Sequence, residues 1–136
     1  MIWVVLDSNI YVSALVFGGT PSVVLQLAEV GAFQLVVSEA IKAEVMETLT
    51  TKFGWSQKRV EDVATHLWQS AQMVYPVQPI RASRDPDDNH ILECALESHA
   101  QIIVTGDNDL LTLHPFRGLE ILSPAVFLDR HLWEKK

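Results

Sequence analysis

The stretch "RDPDDNH" sets Asp85, Asp87 and Asp88 within four positions of a chain that is acidic overall. Other acids stand where apolar runs end: Asp7 closes "IWVVLD", and Asp107 and Asp109 follow "IIVTG". Two carboxylates ~5 Å apart repel by about 3 kcal/mol at an effective dielectric near 20, and four acids make six such pairs at various distances. If Asp7, Glu44, Asp88 and Asp107 converge, the cluster must either raise its pKa values or bind a cation. An all-oxygen donor set selects a hard ion such as Mg²⁺ or Mn²⁺. One or two such ions would polarise a scissile phosphate, activate a water for in-line attack and stabilise the leaving oxygen.

Convergence depends on the elements that carry these acids. "MIWVVLDSN" opens on a continuous apolar run, as a strand buried on both faces of a parallel sheet does, and Asp7 falls at its carboxyl end. "IYVSALVF" reads as a short helix stopped by "GG". "PSVVLQLAEVGA" is a second helix, "FQLVVS" a second strand and "EAIKAEVMETLTTKF" a helix ended by Gly54. "SQKRVEDVATHLWQSAQMV" is an amphipathic helix with Ser56 as its cap, and "YPVQ" a weakly signalled third strand. The helix "DNHILECALESHA", the strand "QIIVT", the short helix in "GDNDLLTL", the strand "LEIL" and a last helix from Pro124 complete the order. Alternating strands and helices predict a three-layer α/β/α domain around a mainly parallel sheet, a single domain over residues 1–136. Sites in such sheets form beyond the carboxyl ends of the strands, near a switch in strand order, which draws attention to Asp7, Asp107 and Asp109.

Helical spacing from Asp88 runs through Ile91, Leu92, Ala95 and Leu96, so Asp88 leads a buried stripe. Asp85, ahead of Pro86, can cap the helix, with Asp88 three residues on in capping-box spacing. Capping and the helix dipole account for Asp85 and Asp87, but give no reason for an inward Asp88. On pattern alone, Glu44 and Glu47 are solvated helix residues. Glu44 is singled out because it lies about a turn and a half into a helix entered from the second strand.

At 136 residues, with 49% hydrophobic and 20% charged residues, the composition is globular. A formal charge of −7 works against generic electrostatic affinity for nucleic acid, so phosphates would need a metal or a local set drawn from Lys42, Lys52, Lys58, Arg59, Arg81 and Arg84. The single Cys94, the absence of a secretory opening and apolar runs far below roughly 20 residues suggest a soluble, cytoplasmic protein with no membrane partner.

Other chemistries fit less well. A calcium loop fails at His90, where a glycine is needed, and at Leu96, where a closing Glu is needed. An aspartyl-nucleophile phosphatase would carry a second acid at the position of Asn9. No glycine-rich phosphate loop follows the first strand. The five histidines lack zinc-ligand spacing, Cys94 reads as packing, and Trp3, Trp55, Trp68 and Trp133 as core or interface, with Trp55 the one open to a partner groove.

The segments "VVLDSNIYVSAL", "VVSEAIKAEVMETL", "RDPDDNHILECAL" and "IIVTGDNDLLTL", followed by "GLEILSPAVFL", together resemble the PIN domain, specifically its toxin-like branch related to VapC ribonucleases of toxin–antitoxin pairs. The resemblance covers nearly the whole chain. It implies an α/β/α fold and a metal-dependent endoribonuclease, the toxin of a type II toxin–antitoxin pair, with Asp7, Glu44, Asp88 and Asp107 as catalytic acids holding Mg²⁺ or Mn²⁺. Asn9, Ser38 and Thr105 match supporting positions. Asp109 competes with Asp107 as the fourth ligand, since many relatives carry Asn and Asp at those two places. The resemblance further implies an RNA substrate, an antitoxin protein that inhibits the site, and a homodimer or higher homo-oligomer. Two alternatives remain: an inactive PIN-like binding or scaffold module, disfavoured by the intact acids, and a metal-dependent phosphatase.

Overall fold

The computed structural model describes residues 1–132. Five short strands, β1 (Trp3–Leu6), β2 (Gln34–Val37), β3 (Ala71–Met73), β4 (Ile102–Val104) and β5 (Glu120–Leu122), form one sheet in the order β3-β2-β1-β4-β5, with every neighbouring pair parallel. Parallel neighbours need crossovers, and these are supplied by α1 (Ser8–Val16), α2 (Gly19–Glu29), α3 (Glu39–Thr51), α4 (Gln57–Leu67), α5 (Pro86–Ser98) and α6 (Asn108–Leu111). A seventh helix, α7 (Pro124–Phe127), continues as a π-helical turn over Leu128–Leu132.

The chain lays β2 and β3 to one side of β1, then returns to lay β4 and β5 on the other. With right-handed crossovers, that reversal sends α5 to the face opposite α1 to α4, giving the expected α/β/α layers. The apolar runs explain the core: Val4 to Leu6, Leu35 to Val37 and Ile102 to Val104 are sealed from solvent, as strands covered on both faces must be. Phe33 and Phe127 meet edge-on at 5.1 Å, joining α7 to the entry of β2.

One element lies elsewhere than the sequence suggests. The third strand is Ala71–Met73, not "YPVQ", and α4 ends at Leu67 rather than running through "AQMV". Pro76 has no N–H to give a ladder. The chain turns earlier, where the Ala71 N–H donates to the Trp68 carbonyl (3.2 Å), and Gln34 Nε2 donates to the Ser70 carbonyl (2.9 Å), bringing the new strand against β2. As an edge strand β3 is only partly covered, so its hydrophobic signal is weak. Trp133 lies outside the described residues. Trp68 stands edge-on to the buried Tyr11 at 5.0 Å, and Trp55 is half-buried beneath the Arg59 guanidinium, 3.7 Å from its ring centre. Among the described residues, no single helix is long and apolar enough to cross a membrane.

The sheet that aligns the acids is itself the stability core. Ile103→Ala, at a fully buried position of β4, is expected to cost about 2–5 kcal/mol. Urea unfolding should show a lower midpoint at unchanged slope; a change under 1 kcal/mol would mean that this layer does not set the fold's stability.

Candidate metal centre

The strand order reverses between β1 and β4, which opens a crevice beyond their carboxyl ends. Asp7 leaves β1 with its N–H donating to the Val104 carbonyl of β4 (2.9 Å), so the two strand ends are tied at this point. Its carboxylate caps α1: Oδ1 accepts from the Asn9 N–H (3.2 Å) and from Ser8 Oγ (3.3 Å). Oδ2 accepts from Thr105 Oγ1 at 2.6 Å. Across the crevice, Asp107 caps α6 by accepting from the Asp109 N–H (2.9 Å), while its own N–H donates to Thr105 Oγ1 (3.0 Å). Thr105, fully buried, thus joins two acids from different strands.

The third acid arrives from the opposite face of the sheet. Asp88 lies in the first turn of α5, 5% exposed, and its Oδ2 accepts from Ser83 Oγ (3.1 Å). One ligand oxygen each from Asp7, Asp88 and Asp107 lie within 4.8 Å of one another. Burial raises the Asp7 pKa, Asp107 adds repulsion, and the hydrogen bonds from Thr105, Asn9 and Ser8 pull the other way. Burial and then the Asp107 charge push Asp88 up to about 7, against the opposing bond from Ser83.

The other candidates fall around this group. Glu44 is half-buried and not one of the three converging acids; burial raises its pKa, contact with Ser8 lowers it, and Asp87, Asp7 and Asp85 repel it. Asp109 turns outward to Arg84 (3.2 Å), so it is Asp107 that joins Asp7 and Asp88. Asn9 is exposed and contributes its backbone N–H to Asp7. Ser38 is buried, but its hydroxyl caps α3 by accepting from the Ile41 N–H (3.4 Å) and lies beside Cys94, whose thiol burial pushes up to about 12. Asp85 caps α5 by accepting from the Asp87 N–H (3.0 Å), and Asp87 is exposed. The capping-box expectation needs correction: Asp88 does not return to the Asp85 N–H, which donates instead to Ser83 Oγ (3.3 Å). That leaves the Asp88 carboxylate facing the other acids.

Sequence reasoning missed Ser8, Ser83 and Asn89. Ser8 had a signal, since it is the first helical residue after a strand-end acid. Ser83 and Asn89 had none, because their contacts depend on how a loop folds back.

The donor chemistry fits a small divalent cation. An octahedral Mg²⁺ at about 2.1 Å from each ligand spans oxygens up to ~4.2 Å apart, so atoms already within 4.8 Å need little movement. Three carboxylates without nitrogen or sulfur favour a hard ion. Among the described residues no histidine or cysteine joins this group.

Residues 3–109 match the PIN domain family, and the chain belongs to it. The matched span includes Asp7, Glu44, Asp88 and Asp107. The chain is 31% identical over 115 residues to the uncharacterized protein MJ1680 of Methanocaldococcus jannaschii, covering 81% of this chain and 74% of that protein. Among solved structures it resembles a chain in the crystal structure of VapBC2 from Rickettsia felis bound to a DNA fragment from their promoter. That match has a TM-score of 0.62 at 14% identity, over 88% of this chain and 97% of that one, a likeness of fold.

A raised carboxyl pKa has a direct consequence for stability. The unfolded Asp88 carboxyl ionises near 3.8 and the folded one near 7, so between these values the folded state holds the extra proton. Its stabilising effect is complete below about pH 4 and lost as pH rises through about 7. Without metal, Asp88→Asn is therefore expected to stabilise the protein at pH 8 relative to the wild type and to flatten the fall in Tm between pH 5 and 8. Thermal unfolding in chelator checks this; equal pH slopes for the two proteins would refute it.

Proposed function

We propose that this protein is a metal-dependent endoribonuclease, the toxin of a type II toxin–antitoxin pair, using Mg²⁺ or Mn²⁺ at Asp7, Glu44, Asp88 and Asp107. The observation that carries this reading is the approach of three acids from separate elements at the switch point of a PIN-domain sheet. Asp7, Asp88 and Asp107 would hold the ion directly. Glu44 would serve as the fourth acid, within reach of the Ser8 hydroxyl and of the charge on Asp7. Thr105 keeps Asp7 in its rotamer, and Ser8 and the Asn9 N–H fix its other oxygen. When bound, the metal would polarise the scissile phosphate and supply a nucleophilic water at neutral pH. Asp109 and Arg84 form an exposed pair beside Asp107, where a guanidinium can exchange its carboxylate partner for an RNA phosphate.

The likeness to a VapBC2 chain supports an antitoxin protein as partner, and the free, buried Cys94 suits a reducing cytoplasm. The test is cleavage of labelled single-stranded and structured RNA in Mn²⁺, Mg²⁺ or EDTA. Asp7→Asn and Asp88→Asn are each expected to cut at least ~100-fold more slowly while remaining folded, and EDTA to stop the wild type. Full activity in EDTA would defeat the metal mechanism. A wild type that neither cuts nor binds Mn²⁺ by calorimetry would point to a binding module instead.

A further inference from the structure

The segment 82–89 contains a contact pattern that capping does not explain. The Asn89 side chain, 7% exposed, turns back on the loop that precedes its own helix. Its Oδ1 accepts from the Ala82 N–H (3.1 Å) and the Ser83 N–H (2.8 Å), and its Nδ2 donates to the Ser83 carbonyl (3.2 Å). A single carboxamide thus holds both backbone polar groups of Ser83. Only a side chain with acceptor and donor on one planar group can do this; an aspartate lacks the donor and a leucine lacks both.

The Ser83 hydroxyl is then fixed between two partners. It accepts from the Asp85 N–H (3.3 Å) and gives its own proton to Asp88 Oδ2 (3.1 Å). Thr105 does the same on the other side of the crevice, accepting from the Asp107 N–H (3.0 Å) and donating to Asp7 Oδ2 (2.6 Å). In both cases the hydroxyl lies two residues before an aspartate that caps a helix, in "SRD" and "TGD". Each hydroxyl closes a local turn and fixes a buried acid of the cluster.

We propose that Ser83, held by Asn89, is a positioning residue that sets the orientation of Asp88 for metal binding, the counterpart of Thr105 for Asp7. The inference rests on reading the three acids as a metal site. Partners that orient ligating carboxylates commonly govern metal affinity by 10- to 100-fold.

The experiment compares Mn²⁺ affinity by calorimetry, RNA cleavage and Tm for the wild type, Ser83→Ala, Ser83→Thr and Asn89→Ala. Ser98→Ala, at the far end of α5, is the control. Ser83→Ala is expected to weaken Mn²⁺ binding by about 10- to 100-fold and to recover most of its cleavage rate as Mn²⁺ is raised, with little change in Tm. Ser83→Thr should restore affinity to near the wild-type value. Asn89→Ala should shift affinity in the same direction as Ser83→Ala, which carries the test alone if Asn89→Ala does not fold. A wild type that binds Mn²⁺ alongside a Ser83→Ala variant of equal affinity overturns this inference and leaves the metal site standing. A wild type that binds no Mn²⁺ removes the metal site and this inference together.

Discussion

Like charge is the constraint around which this molecule is organised. Three carboxylates, those of Asp7 and Asp88 buried and that of Asp107 half-buried, have oxygens within 4.8 Å of one another. Left to themselves they would separate, protonate or unfold the surrounding chain. The fold opposes this with donors already in place. Asp7 accepts two hydroxyl protons and a backbone N–H; Asp88 accepts a hydroxyl; Asp107 accepts a backbone N–H. Two of the acids also cap helices and the third lies in a first turn, where the free N–H groups favour negative charge.

Strand order makes this arrangement possible. β1 and β4 are neighbours in space although about a hundred residues separate them, and the Asp7 N–H to Val104 carbonyl bond fixes their ends together. Helix α5 then brings Asp88 from the other face. No local segment could gather these three acids; they meet because the strand order reverses at β1.

The layered fold was legible because buried strands and amphipathic helices leave strong periodic signals. Asp88 could be recognised from the stripe it leads, and Asp7 and Asp107 from their places after buried strands. β3 was misplaced because an edge strand carries little hydrophobic pattern, and the nearby "YPVQ" was itself a weak signal, its Pro76 having no N–H to give a ladder. Glu44 was chosen from fold-level reasoning; it is half-buried near Ser8, apart from the three converging acids. Ser83 and Asn89 escaped notice because hydroxyls and amides in a loop before a helix are common, and their contacts here follow from one turn's backbone path.

Asp7 and Asp107 each combine two tasks in one side chain, terminating a helix and lending charge to the crevice. The tasks differ chemically, because a cap needs only an acceptor oxygen whereas a cation needs the negative charge. An asparagine keeps the first and drops the second. Single-nucleotide drift from Asp to Asn at either position would therefore remove a charge from the crevice while the helix it precedes stays capped. In such lineages the α/β/α scaffold would persist unchanged around a crevice of lower charge.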